Sequence, residues 1–129
     1  MGNSTEALLT QITPVLYVSD VLEALEFYLK KLGFDLVFID EERNPNYAGI
    51  RRNKITIHFK RFDLNHLYDN SKNSTIIRIH VQTIEKLFKE YRLMCVFNNH
   101  TSLEEKPWGS LEFTIYDPFK NELVFYQMI

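Results

Sequence analysis

A single cysteine, Cys95, stands in the 129 residues, so neither an internal disulfide framework nor a Cys-cluster zinc site is available. The lone thiol fits a reducing compartment, and the cytoplasm is the expected location. Glycines number only four, which argues against phosphate-cradling glycine loops. Neither charge sign dominates: fifteen Lys and Arg against seventeen Asp and Glu leave a net −2. That balance lacks the basic excess that phosphate backbones require, so no nucleic-acid partner is expected. No apolar run approaches the roughly 20 residues that cross a bilayer, and no membrane partner is expected either. The opening Met1–Glu6 has neither the basic nor the apolar region of a secretory signal, and Glu6 stands where a myristoylation signal wants Ser or Thr. Residues 1–10 read as a loosely held lead-in.

What remains is an ordinary globular composition, 45% hydrophobic and 25% charged, in a length that suits a single domain over 1–129. Aromatics are plentiful, with ten Phe, seven Tyr and one Trp, and such large rigid groups either fill a core or line a groove for flat ligands.

Periodicity sorts the chain into elements. Ile12–Val18 reads as a strand, Ser19-Asp20 as a helix N-cap, and Leu22, Leu25, Leu29 and Leu32 as the apolar stripe of a helix that Gly33 stops. Strands are expected over Phe34–Ile39, Tyr47–Arg51 and Ile55–Phe59, with a polar connector over Asp63–Asn73. A second unit follows: a strand over Ile76–Val81, a cap at Gln82-Thr83, and helical spacing of Ile84, Leu87, Phe88 and Tyr91. Beyond it, Leu93–Phe97 reads as a strand and Asn98–Pro107 as a long loop. Ser110–Tyr116 and Leu123–Ile129 read as strands about the Asp117-Pro118 turn. The order of elements repeats, predicting an α+β fold of two βαβββ modules, about 12–62 and 74–129, whose sheets are cupped and mixed or antiparallel.

Two groups of residues resemble a known superfamily. Pro14-Val15-Leu16-Tyr17-Val18-Ser19-Asp20, Phe27-Tyr28 and Leu32-Gly33-Phe34 resemble the opening of the vicinal oxygen chelate superfamily, which includes glyoxalase, extradiol dioxygenases and bleomycin resistance proteins. Pro107-Trp108-Gly109, Glu112-Phe113, Asp117-Pro118 and Asn121 resemble the closing signature of the bleomycin resistance branch. Gly33 and Asp117-Pro118 have structural work of their own at a helix end and a turn, and so identify architecture more than chemistry.

The resemblance implies that the superfamily's enzymes hold a divalent metal with four His, Glu or Gln ligands. At the matching places stand Thr13, Thr56, Ile76 or Thr75, and Val124. Apolar side chains and neutral hydroxyls are poor donors, so no metal and no other cofactor is expected. A rival is a shifted site of His58, His80 and Glu122, each two residues from a ligand place and thus on the same strand face. His66 and His100 fall in polar loops as surface residues. No nucleophile elbow or Cys–His pairing is legible.

Strand alternation places Pro14, Leu16 and Val18, Ile55, Ile57 and Phe59, and Ile77, Ile79 and Val81 toward the helices. The opposite faces carry Thr56, His58 and Lys60, then Arg78 and His80, then Glu112 and Tyr116. A face that mixes aromatics with both charge signs suits a ligand more than plain solvation. The resemblance implies a homodimer with two interfacial clefts that sequester an aromatic, bleomycin-type antibiotic without modifying it. Its stacking residues carry over to Phe38 and Trp108, with Gly109 beside the latter and an acidic place at Glu26. Lys60 and Arg78 oppose a cationic drug, since like charges about 4 Å apart at effective dielectric 20 repel by roughly 4 kcal/mol. The candidate ligand-binding residues are therefore Phe38, Thr56, His58, Lys60, Arg78, His80, Trp108, Gly109, Glu112 and Tyr116, with no catalytic residue assigned. Two alternatives stay open: a metal-dependent lyase or isomerase of the glyoxalase kind, and a groove protein for another small molecule.

Overall fold

The structure is a computed structural model that describes residues 5–62 and 75–129. The expected connector over Asp63–Asn73, His66 with it, and residues 1–4 of the lead-in lie outside the described residues. In chain order the elements are β1 (Val15–Val18), α1 (Val21–Lys30), β2 (Asp35–Ile39), β3 (Tyr47–Arg52), β4 (Ile55–Arg61), β5 (Ile76–His80), α2 (Ile84–Leu93), β6 (Glu104–Lys106), β7 (Ser110–Tyr116) and β8 (Glu122–Met128). They form two four-stranded sheets, ordered β1-β4-β3-β2 and β5-β8-β7-β6. In each sheet the first strand runs parallel to the last, and the remaining pairs are antiparallel. The expected α+β architecture of two βαβββ units with mixed sheets is the one observed.

Local chemistry sets the helices. The Asp20 carboxylate accepts the Glu23 N–H at 3.1 Å and starts α1. Gly33, at φ +78, ends it, allowing the Phe34 N–H to reach back to the Tyr28 carbonyl at 3.1 Å. Val21, Ala24, Leu25 and Tyr28 are the buried face of α1, while Leu22, counted in the apolar stripe, points outward. Leu16, Val18, Ile57 and Phe59 meet them from the sheet, as alternation requires, and the Tyr28 and Phe59 rings lie 4.8 Å apart. In the second unit Tyr91 packs at 6.2 and 5.5 Å against Phe113 and Phe125.

Four local expectations change. β1 starts at Val15 rather than Ile12, and Ile12 is exposed. Leu93–Phe97 is no strand: α2 runs to Leu93, Cys95 turns the backbone at φ +59, and Phe97 stacks on Phe88 at 4.9 Å. The run is apolar because it packs on the core. Within the expected loop 98–107 lies β6, whose Glu-Glu-Lys sequence hides it; charge on an edge strand guards against unwanted pairing. Thr83 occupies the cap position of α2 but makes no side-chain cap bond; the Gln127 amide oxygen accepts the Ile84 N–H at 2.8 Å instead.

The two units are joined through their helices by matching contacts. Tyr28 and Tyr91 are each the eighth residue of their helix. The Tyr28 hydroxyl donates at 2.8 Å to Asp117, in the β7–β8 turn of the second unit. The Tyr91 hydroxyl donates at 2.8 Å to the Leu32 carbonyl of the first, where Arg52 at the end of β3 also donates at 2.8 Å. Arg52 then clasps Glu90 of α2 through both guanidinium nitrogens, at 2.8 and 3.0 Å. One hydrophobic cluster runs through both units. Each sheet thus keeps one face on the core and leaves the other open.

Candidate ligand-binding site

On the open face of the second sheet the strongest feature is Glu112 in β7, a carboxylate only 5% exposed. Arg78 grips it from β5 with two nitrogens, at 2.9 and 3.2 Å. Ser110 donates to it at 2.6 Å and the Trp108 indole N–H at 3.0 Å. The Arg78 guanidinium, helped by Ser110 and Trp108 and opposed by burial, holds the Glu112 pKa down to about 2. Arg78 in turn lies 4.5 Å over the Tyr126 ring, and the His80 ring meets Tyr126 edge-on at 5.3 Å. Trp108 stands on the β6–β7 turn, which Gly109 closes at φ +89 with its N–H on the Lys106 carbonyl at 3.0 Å. The indole is anchored at its nitrogen and 61% exposed, a flat surface fixed in direction and bare. On the Glu112 side of the same sheet a hollow of about 320 Å³ is lined by His100, Thr101, Glu112, Thr114 and Tyr116. The Tyr116 hydroxyl donates to Glu122 at 2.9 Å.

The first sheet presents an aromatic cluster. Register pairs Phe38 with Gly49 and Gly49 with His58, so that one cross-strand row reads Val15, His58, Gly49, Phe38. The absence of a side chain at Gly49 lets the Phe38 ring lie across the strand, edge-on to His58 at 5.1 Å and stacked on Tyr47 at 5.9 Å. Tyr47 and His58 share a hydrogen bond of 2.8 Å between the phenol and Nδ1. Phe38 is 39% exposed and belongs to the open face rather than the core. Lys60 lies in the next row, between Tyr17 and Tyr47, and Thr56 pairs with Arg51. A Cβ at position 49 would stand 2.3 Å from the Phe38 ring. Gly49→Ala is therefore expected to expel that ring and to lower stability by about 1–2 kcal/mol, read as a shifted urea midpoint with an unchanged slope.

The ten candidate residues fall into two groups, Phe38, Thr56, His58 and Lys60 on the first sheet and Arg78, His80, Trp108, Gly109, Glu112 and Tyr116 on or beside the second. Among the described residues Phe38 stacks on Tyr47, meets His58 edge-on and makes no ring contact with Trp108. The repulsion expected from Arg78 is largely cancelled by Glu112, leaving Lys60 as the cation of that pair with no ion-pair partner among the described residues. Glu26 is not on the open face; it pairs with Lys30 at 2.9 Å on the exposed surface of α1. Sequence reasoning missed Tyr47, Gly49 and Ser110. Alternation along Tyr47–Arg51 would have found the first two, since they share parity with Arg51, opposite the buried Ala48 and Ile50.

The metal places of the resemblance hold donors of the wrong chemistry. Val124 is buried and apolar, Ile76 is exposed and apolar, and the Thr13 hydroxyl accepts from Gln11 at 3.3 Å. Of the shifted set, His58 is engaged by Tyr47 and Glu122 by Tyr116, and His58 lies on a different sheet from the other two. Among the described residues no three His, Cys, Asp or Glu side chains converge as a metal cluster. These residues do not fit the superfamily's divalent metal.

Two mixed sheets of this strand order, each with a capped helix behind it and an open face in front, define the glyoxalase and bleomycin-resistance fold. The chain belongs to the glyoxalase superfamily: the family model described as "Glyoxalase superfamily protein" matches residues 2–129. The bleomycin resistance protein of Geobacillus stearothermophilus is 26% identical over 132 residues, covering 92% of this chain and 97% of that one. The bleomycin-binding protein of Streptomyces verticillus, solved with copper(II)-bleomycin, is 26% identical at TM-score 0.76, over 93% of this chain and 97% of that one. A bleomycin resistance determinant encoded on the transposon Tn5 superposes at TM-score 0.78 with 18% identity, over 93% and 98%. The resemblance to the bleomycin resistance branch of the vicinal oxygen chelate superfamily holds over nearly the whole chain.

Proposed function

We propose that this protein is a non-catalytic binder that sequesters a bleomycin-type antibiotic between the open faces of two copies of the chain. The observation that carries the reading is Trp108, its indole tethered to Glu112 and its face bare. Phe38 supplies the opposing aromatic plate on the other sheet. One chain alone leaves these plates unconnected, and Val15, Tyr17 and Tyr116 stay exposed with them. A second copy, set so that one chain's first sheet faces the other's second sheet, would close two equal clefts. The two modules, about 12–62 and 74–129, act as one domain in this reading. Sequestration needs no reacting group, metal or other cofactor, and an exposed Cys95 suits the reducing cytoplasm where such a trap would work. Named relatives that resist or bind bleomycin support the choice of ligand.

Trp108 is the sole tryptophan, so its fluorescence reports the site directly. Titration of bleomycin, with and without copper, is expected to quench it, and isothermal calorimetry should give one ligand per chain. Trp108→Ala is expected to weaken the calorimetric affinity about ten- to hundredfold. Neither heat nor quenching at millimolar drug would remove the proposal. The dimer is checked separately by light scattering, where a monomer at tens of micromolar would contradict the two-copy cleft.

A further inference from the structure

A groove of about 740 Å³ lies where the β3–β4 turn of the first unit meets α2 of the second, and of the ten candidate residues it is lined by His80 alone. Its origin is visible by comparing the two units. The turns β3–β4 and β7–β8 hold equivalent places, each clasped by the other unit's helix at the tyrosine position. Between the paired ends Tyr116 and Glu122 the second turn has five residues, Asp117–Asn121, and it buries Phe119 in the core. Between Arg52 and Ile55 the first turn has two, Asn53 and Lys54. Among the described residues no counterpart of Phe119 is supplied on the α2 side, and the groove is the space left over. Phe34, Ile55, Leu87 and Phe125 give it an apolar floor, and Lys54 and Lys86 stand on its rim. Among the described residues neither lysine has an ion pair, whereas the rim carboxylate Glu90 is already held by Arg52. The start of α2, Thr83, also opens onto the groove and adds the positive end of the helix.

We propose that this groove is a second binding site, for a small amphipathic anion. The ligand has an aromatic or aliphatic body that takes the place Phe119 fills in the other unit. One carboxylate, sulfonate or phosphate lies between Lys54 and Lys86. The volume lies within the range of small-molecule sites, and the two unpaired cations favour this class over neutral or cationic ligands. The site shares neither Trp108 nor Phe38 and does not depend on drug sequestration.

The probe is 8-anilinonaphthalene-1-sulfonate, an apolar body with one sulfonate, added to the full chain with near-ultraviolet circular dichroism verifying the native state. Saturable binding is expected, weakening as salt rises. Lys54→Glu with Lys86→Glu should raise the dissociation constant about tenfold, since each reversed rim charge acts through an exposed and screened contact. Lys54→Arg with Lys86→Arg should retain binding, and Trp108→Ala should leave it unchanged. Amide shifts should concentrate at residues 53–55 and 83–87. The proposal is overturned if wild type does not bind the sulfonate at millimolar concentration, if charge reversal leaves the affinity intact, or if Trp108→Ala removes the binding.

Discussion

Asp117→Ala is expected to lower stability by about 3–5 kcal/mol, near the top of the range for the loss of one side chain. The Asp117 carboxylate is buried and accepts four bonds. One oxygen takes the Phe119 and Asn121 N–H groups, both at 2.9 Å. The other takes the Asn121 amide at 2.9 Å and the Tyr28 hydroxyl at 2.8 Å. Alanine would leave the Tyr28 hydroxyl and the Asn121 amide without this acceptor in the interior, and an orphaned buried donor costs about 1–3 kcal/mol. The same carboxylate sets the five-residue turn in which Lys120 adopts φ +67, so backbone order is lost with it. Burial pushes the Tyr28 phenol well above its ordinary range, and the Asp117 charge and hydrogen bond push the same way, so it stays a donor throughout the neutral range. Tyr28→Phe removes one donor and keeps the turn, and is expected to cost only about 1–2 kcal/mol. Urea denaturation of the three proteins orders them wild type, Tyr28→Phe, Asp117→Ala. Equal midpoints for the two variants would mean that the turn bonds contribute nothing beyond the contact between units.

Asp117 also marks how far the sequence could be read. Asp117-Pro118 announces a turn, and alternation on either side sets the strands, because side-chain parity follows directly from the pleat. The partner of that turn, Tyr28, lies 89 residues away and leaves no local trace. The same division runs through the site. Parity alone put His58, Arg78, His80 and Glu112 on the faces opposite the helices. That Arg78 and Glu112 neutralise one another is a fact of strand order: β8 lies between β5 and β7, so a two-strand reach brings the guanidinium to the carboxylate. Parity cannot place Phe38, because β2 carries an irregularity between Leu36 and Phe38 that breaks its alternation. Glu104–Lys106 was invisible as a strand because its residues favour solvent, and only pairing with β7 makes it one.

Glu112→Gln is expected to cost about 2 kcal/mol at pH 7 and almost nothing near pH 2. The folded carboxyl titrates at about 2, against an unfolded value of about 4.3. Glu112 therefore releases its proton more readily when folded, and its ionisation favours the native state. That contribution is complete above the unfolded value and fades as pH falls from about 4.3 towards 2. Arg78 is 47% exposed, so solvent screens the pair and keeps its worth below that of a fully buried one. Glutamine retains an oxygen for the Trp108 N–H but leaves the guanidinium with its full charge on the open face. If the proposed trap is correct, affinity for a cationic bleomycin should drop with the stability, and Arg78→Gln combined with Glu112→Gln should recover part of that affinity by removing the stranded cation. A double-mutant cycle in denaturant at pH 7 and pH 2.5 measures the coupling directly. A coupling energy that does not change between the two pH values would show that Arg78 and Glu112 meet in space without holding each other electrostatically.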